Sequence, residues 1–218
     1  MNRHGYFLYH HTRIVLPAKA IETMHHQPKS IEFVLPAWLD EFMQTYTTSN
    51  DIDDRMSFVI EASRRNVMEK TGGPFAAAVF ETETGVLVAL GVNLVTSLGL
   101  SMLHAEMVAL TIAQKKLGSY DLGARDMPSH ELVTSTEPCA MCYGAIPWSG
   151  VRRVITGSCD ADVRGIGFDE GPKVQHWREE LEKRGIEVIS GIQRSKAVQV
   201  LVEYAEQGGR IYNARDTD

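Results

Sequence analysis

The chain has 218 residues, of which 44% are hydrophobic and 23% are charged. This length and composition fit about one globular domain with a buried core. The formal net charge of −6 argues against a nucleic-acid partner, because a phosphate backbone needs clustered Lys and Arg side chains. Three cysteines are too few for a disulfide framework, and no apolar run is long enough to cross a membrane.

The first thirty residues differ in character from the rest of the chain. They are rich in His and polar residues, and they lack the apolar core and the cleavage site of a signal peptide. We therefore expect a cytoplasmic protein. We interpret residues 1–30 as an exposed N-terminal extension, and residues 31–218 as a single domain that includes the C-terminal tail.

Helical and strand patterns alternate along the rest of the chain. Apolar residues recur at helical spacing over residues 51–70, and the TGG that follows is expected to end this helix. Two strand-like runs, PFAAAVFE and GVLVALGVN, flank the turn TETG and predict a hairpin. A second helix is expected from His104 to about Leu117, because Gly118 follows.

The second half of the chain continues this alternation. ELVTS predicts a short buried strand, and Pro138 suits the first turn of a third helix. VRRVITG predicts the next strand. The runs that follow predict a helix, a strand and a final helix in VQHWREELEKRG, IEVIS and RSKAVQVLVEYAEQGG. Strands that alternate with helices after an opening hairpin indicate a layered α/β domain with a mixed sheet.

Two separated motifs carry metal-binding chemistry. Cys139 and Cys142 form a Cys-x-x-Cys pair that alone could be a redox pair, part of a structural zinc site or a coincidence. Upstream, His104 is followed two residues later by Glu106. His104 and the two cysteines supply three zinc ligands, which leaves a fourth tetrahedral position for water. Glu106 could take a proton from that water, and the joint pattern is typical of zinc-dependent base deaminases.

The chain resembles the cytidine-deaminase-like zinc deaminases, and among them the bacterial guanine deaminases. The resemblance covers roughly residues 55–215 and rests on GGPFAAAVFE, HAEMVAL, TEPCAMCYGAIPWSGV, IGFDEGP and IYNAR. The core motifs are shared with tRNA adenosine, cytosine and plant guanosine deaminases, whereas IGFDEGP and IYNAR point to the guanine branch. The resemblance implies a three-layer α/β/α sandwich around a five-stranded mixed sheet, a Zn²⁺ cofactor and a homodimer.

The same resemblance implies an activity. We expect hydrolytic deamination of a free purine base, guanine, to xanthine and ammonia. Guanosine, another aminopurine or an aminotriazine would be alternative substrates, and a tRNA adenosine is a more distant alternative. A zinc-binding protein without catalytic activity is a further alternative, against which the presence of Glu106 argues.

The resemblance also suggests individual roles. Glu106 would be the general acid and base, although it could be an ordinary first-turn glutamate. Glu170 would be a second carboxylate that protonates the leaving amine. Without the resemblance, Glu170 would be interpreted as part of a solvated acidic loop. The expected substrate contacts, which could equally be core, turn or terminal residues, are Phe75, Asn93, Ala105, Trp148, Tyr212 and Asn213.

Overall fold

The computed structural model describes residues 27–213. The chain divides into two compact units, Met1–Val34 and Leu35–Asp218, and the helices and strands given below belong to the second. Most of the predicted extension, residues 1–30, lies outside the described residues, so this domain division remains a prediction. None of the helices within residues 27–213 has the length and apolarity needed to cross a bilayer.

One mixed β-sheet organises the second unit. The strands are β1 (Ala76–Glu81), β2 (Leu87–Val92), β3 (His130–Thr136), β4 (Arg153–Ser158) and β5 (Glu187–Ser190). Their spatial order is β2-β1-β3-β4-β5. Strand β1 is antiparallel to both of its neighbours, whereas β3, β4 and β5 are parallel. The predicted five-stranded mixed sheet and its opening hairpin are thus confirmed.

Helices connect and flank these strands. They are α1 (Trp38–Met43), α2 (Ile52–Met68), α3 (Val95–Leu98), α4 (Ala105–Leu117), α5 (Ala140–Ser149), α6 (Asp160–Gly165), α7 (Trp177–Glu182) and α8 (Arg194–Glu206). The sequence patterns did not predict α1, α3 and α6 as helices. At 6, 4 and 6 residues, these helices are too short to show a helical period.

The two faces of the sheet are both covered. On one face, Ala77 and Val79 of β1 pack in a buried cluster that includes Ala109 of α4. On the other face, the ring centroid of Phe80 lies 5.4 Å from that of Tyr46, which packs in turn on Phe58 of α2. Alternate residues of a strand point to opposite faces, so β1 is buried between two helical layers. This confirms the predicted three-layer sandwich.

The strand directions bring several chain segments to one edge of the sheet. Ala76 at the start of β1 pairs with Val92 at the end of β2, and Ala77 pairs with Thr134 near the end of β3. Because β1 is antiparallel to both neighbours, its beginning meets the ends of β2 and β3. The residues just beyond these strand ends include Phe75, Asn93 and Cys139.

Helix α4 packs closely against β2 at Gly91. A Cβ atom at this position would lie 2.4 Å from both the Ala105 carbonyl oxygen and the Ala109 amide nitrogen, so glycine is needed for the close approach. The helix ends at Gly118 in the left-handed conformation, with φ 67°, as predicted. This packing brings the start of α4, where His104 is the N-cap, to the same edge of the sheet.

Helix α5 begins later than predicted. Cys139 is its N-cap, with an extended φ of −65° and ψ of 173°, and Ala140 is the first helical residue. Pro138 therefore precedes the cap and does not lie in the first turn. Its carbonyl oxygen instead accepts a hydrogen bond from Lys173 Nζ at 3.0 Å. Cys142 lies in the first turn, so both cysteines still sit at the positive end of the helix.

Candidate metal and substrate site

One histidine and two cysteines converge where α4 and α5 begin. His104 Nδ1 lies 3.4 Å from Cys139 Sγ and 3.7 Å from Cys142 Sγ, and the three ligand atoms lie within 4.8 Å of one another. These separations suit atoms that each lie about 2.0–2.3 Å from one ion. A donor set of two sulfurs and one imidazole nitrogen fits zinc with one open position.

The two thiols titrate as a pair. A hydrogen bond from the Cys142 thiol, together with the neighbouring His104, lowers the pKa of Cys139 to about 4 although burial opposes this. The same hydrogen bond and burial raise the pKa of Cys142 well above its ordinary value. A bound cation would favour the thiolate at both positions, because it adds positive charge where the protein has buried two sulfurs.

Glu106 lies beside this cluster in the first turn of α4. Its side chain faces the pocket described below, and the residue is only 7% exposed. Burial and then the charge of Cys139 raise the pKa of Glu106, whereas His104 lowers it. A carboxylate with a raised pKa suits proton exchange near neutral pH. The arrangement therefore agrees with the role predicted for Glu106.

A cavity of about 650 Å³ opens over the cluster. This volume is in the range of small-molecule sites. The cavity is lined by both predicted carboxylates, Glu106 and Glu170, and by His104 and Cys139. Four of the six predicted substrate contacts also line it, namely Phe75, Asn93, Tyr212 and Asn213. The structure thus brings together residues from both halves of the sequence.

Glu170 belongs to a loop, residues 167–172, that we call the carboxylate loop. The Glu170 carbonyl oxygen accepts a hydrogen bond of 2.9 Å from the amide of Ala140, which ties the loop to the start of α5. Gly171 has a φ of 69°, and a Cβ atom there would lie 3.1 Å from Ala140 Cβ. Burial, followed by the charges of Cys139 and Glu106, raises the pKa of Glu170 to about 8. The pocket therefore contains a carboxyl group that holds its proton near neutral pH.

The C-terminal segment packs against the carboxylate loop. Asn213 Oδ1 accepts a hydrogen bond of 2.8 Å from the Asp169 amide, and Asn213 Nδ2 donates one of 3.0 Å to the Gly167 carbonyl. The Tyr212 ring meets the Phe168 ring edge to face, with centroids 5.0 Å apart. These contacts place the chain's own tail at the wall of its own pocket.

The two remaining predicted contacts lie elsewhere. Ala105 is the first residue of α4, and its side chain belongs to the buried core, so a role for its backbone remains a prediction. Trp148 is 84% exposed and does not line the pocket. Its predicted place in the pocket wall or the core is therefore wrong. It follows Cys142 by about 1.7 helical turns, which turns it to another face of α5.

The pocket also contains residues that the sequence analysis missed. Thr134 and Thr136 line it from β3, and Phe168 lines it from the carboxylate loop. The two threonines are two residues apart on a strand, so strand periodicity could have placed them on one face. Phe168 lies inside the motif IGFDEGP, from which the sequence analysis assigned a role to Glu170 alone.

The described geometry agrees with known families. Residues 49–158 match the family model described as cytidine and deoxycytidylate deaminase zinc-binding region. This match covers half of the chain. It includes all three residues of the metal cluster and Glu106, whereas Glu170 and the tail lie beyond it.

The matches to some solved structures extend beyond residues 49–158. The solved structure of guanine deaminase from Nitrosomonas europaea is 43% identical, with a TM-score of 0.79, and the match covers 83% of this chain and 99% of that chain. A solved variant chain in complex with 8-azaguanine is 43% identical, with a TM-score of 0.80 and coverage of 84% and 99%.

A curated relative gives a shorter match. Guanine deaminase from Bacillus subtilis (strain 168) is 38% identical over 99 residues, which covers 45% of this chain and 59% of that protein. The chain therefore spans less than two thirds of this relative. The match across half of the chain, together with its converging histidine and cysteines, shows that the chain belongs to the cytidine and deoxycytidylate deaminase zinc-binding family.

Proposed function

We propose that this chain is a zinc-dependent guanine deaminase, which hydrolyses guanine to xanthine and ammonia. One observation carries the proposal: two buried carboxyl groups, Glu106 and Glu170, line the same pocket as a cluster that fits zinc. The similarity over 83% of the chain to the Nitrosomonas europaea guanine deaminase supports guanine as the base.

His104, Cys139 and Cys142 would hold the zinc ion. When bound, zinc supplies Lewis-acid activation of the water that attacks C2 of guanine. Glu106 lies next to the cluster, so its carboxylate accepts a proton from that water and delivers it to the ring nitrogen beside C2. A buried carboxylate with a raised pKa can return the proton it has accepted.

Glu170 would serve the exocyclic amine. Ammonia leaves C2 only after this amine has gained a proton, and a second carboxyl group spares Glu106 from reaching both positions. Glu170 reaches the pocket from the carboxylate loop, whereas Glu106 reaches it from α4. Its pKa of about 8 suits a group that donates a proton near neutral pH.

The remaining pocket residues would hold the purine. Asn93 is buried, and its Oδ1 accepts a hydrogen bond of 3.3 Å from the Val95 amide, which fixes the amide for contact with a base edge. Phe75 packs against Phe168 with ring centroids 5.1 Å apart, so its ring offers a rigid apolar wall. Tyr212 and the adjacent Asn213 would close the pocket over a free base and leave little room for a ribose.

We also propose a cytoplasmic homodimer. Thiolate ligands must stay reduced, which suits the cytoplasm.

Trp148 and Met141 on α5 are 84% and 38% exposed, and exposed apolar groups mark association surfaces. Sedimentation analysis of the zinc-loaded protein should therefore give twice the chain mass of 24.3 kDa, and a monomer at micromolar concentration would contradict the dimer.

The metal ligands can be tested by elemental analysis. Cys139→Ala and Cys142→Ala should each lose zinc and activity, because two remaining ligands bind zinc weakly. Cys159→Ala is the matched control, since Cys159 lies outside the cluster, and it should keep about one zinc per chain. Full zinc occupancy in either ligand variant would refute the assignment.

The substrate can be tested by ammonia release from guanine, guanosine, adenine, cytosine and a tRNA anticodon stem-loop. Guanine should be the preferred substrate, because the tail narrows the pocket. A chain that ends before Arg210 should keep its zinc but lose guanine turnover, since an open pocket admits water. Equal turnover of guanosine by the intact chain would contradict the free-base proposal, and preference for the stem-loop would indicate a tRNA deaminase.

The two carboxyl groups can be distinguished by substitution. Glu106→Gln should keep zinc and lower kcat by at least about 10²-fold, the usual value for a positioned acid or base. Glu170→Gln should also keep zinc and lower kcat, and Glu170→Asp should retain more activity because it can still carry a proton. Glu61→Gln is the control, because the Glu61 side chain on α2 is 58% exposed. A wild-type kcat in Glu170→Gln would leave Glu106 as the sole proton carrier.

A further inference from the structure

Lys173 is a buried cation that joins two segments of the proposed active site. Its side chain is 7% exposed, and it directly follows the carboxylate loop. Its Nζ atom donates a hydrogen bond of 3.0 Å to the carbonyl oxygen of Pro138. Pro138 precedes Cys139, so this bond connects the segment that carries Glu170 with the segment that carries a candidate metal ligand.

Several groups fix the ammonium in this position. Lys173 Nζ lies 3.0 Å from Asp160 Oδ1 and 3.8 Å from Glu137 Oε2. It also lies 5.2 Å from the centroid of the Trp177 ring, within the range of a cation–π contact. A flexible lysine side chain held by ion pairs and a ring has little freedom to move. The bond to Pro138 is therefore a defined constraint.

The two acids have other cationic partners. Arg164 Nε lies 2.6 Å from Asp160 Oδ2, and Arg178 forms an ion pair with Glu137. Both carboxylates would thus keep a partner without Lys173. Neither arginine, however, bonds to Pro138 among the hydrogen bonds of residues 27–213. Charge balance alone does not explain the position of Lys173.

A second connection runs parallel to the first. The amide of Ala140 donates a hydrogen bond of 2.9 Å to the Glu170 carbonyl oxygen. The two bonds join 138 and 140 on one segment to 173 and 170 on the other. Cys139 therefore lies between the bonded residues of its segment, and Glu170 is itself one of the bonded residues. Arg164 Nη2 also donates a hydrogen bond of 3.2 Å to the Gly171 carbonyl oxygen, so loss of the bond to Pro138 would loosen the carboxylate loop without releasing it.

We propose that Lys173 is a positioning residue, which holds the carboxylate loop against Pro138 so that the Glu170 carboxyl group stays within reach of the reacting amine. This inference rests on the proposed function, because the position of Glu170 matters to the rate only if Glu170 transfers that proton. Lys173 itself does not line the pocket over the cluster. It therefore acts through Glu170.

The test uses the zinc-loaded full chain with guanine as substrate. Lys173→Met removes the ammonium but keeps an apolar stem of similar length. Its kcat should fall by about 10- to 100-fold, because a displacement of about 1 Å has this effect on proton transfer. Its KM should change little, since the residue does not contact the base. Zinc content should stay at that of wild type, and Lys173→Arg, which can still donate to Pro138, should recover part of kcat.

A matched variant separates the bond to Pro138 from the ion pairs. Asp160→Asn removes one of the groups that fix the ammonium but leaves the Pro138 carbonyl, Glu137 and the Trp177 ring, so its kcat should fall less than that of Lys173→Met. Lys183→Met removes an exposed lysine and should have no effect. If Lys173→Met folds poorly, the double variant with Asp160→Asn removes the charge imbalance and should show the same loss of kcat.

The outcomes distinguish the inference from the proposed function. A wild-type kcat in Lys173→Met would overturn the role of Lys173 and leave guanine deamination intact. A loss of zinc in that variant, or an equal loss of kcat in Asp160→Asn, would also overturn it. Failure of the wild-type chain to release ammonia from guanine would instead contradict the proposed function itself.

Discussion

Convergence of three ligand atoms from two distant segments is the constraint on which the site depends. His104 at the start of α4 must meet Cys139 and Cys142 at the start of α5. An error of about 1 Å in the position of either helix would take an atom out of bonding distance of a common ion. The close packing of α4 on β2 at Gly91 provides this accuracy. The antiparallel pairing of β1 with β2 and β3 fixes where these strands end. Because α5 follows β3, this pairing also fixes the position of α5.

The same convergence buries two carboxyl groups and so affects their pKa values. Glu106 and Glu170 are each 7% exposed, and burial is the main cause of the raised pKa of both. The charge of Glu106 is one of the causes that raise the pKa of Glu170, because a nearby like charge disfavours ionisation. An ionised Glu106 therefore favours a protonated Glu170, which is the division that a base at the water and an acid at the amine would require.

The sequence predicted those parts of the structure that depend on local patterns. The helices of 17 and 13 residues, α2 and α4, show a full apolar period or a clear stop signal, and the opening hairpin has a turn between two strand-like runs. The metal cluster was predictable because its motifs have fixed spacing. Trp148 was misplaced because an aromatic residue near a motif does not reveal which side of the helix it faces. The contact between Lys173 and Pro138 spans 35 residues, and local patterns do not predict such pairs.

The charge of Lys173 has a second effect, on the pKa of Glu170. The pocket is lined by one thiol, Cys139, and by four carboxyl-bearing residues, Glu106, Glu137, Asp169 and Glu170, in a chain with a net charge of −6. A nearby cation therefore affects the ionisation of Glu170. Burial raises the pKa of Glu170, and Lys173 lowers it in opposition. By bonding to Pro138 outside the pocket, Lys173 stays near enough to moderate this carboxyl group without neutralising it through a direct ion pair.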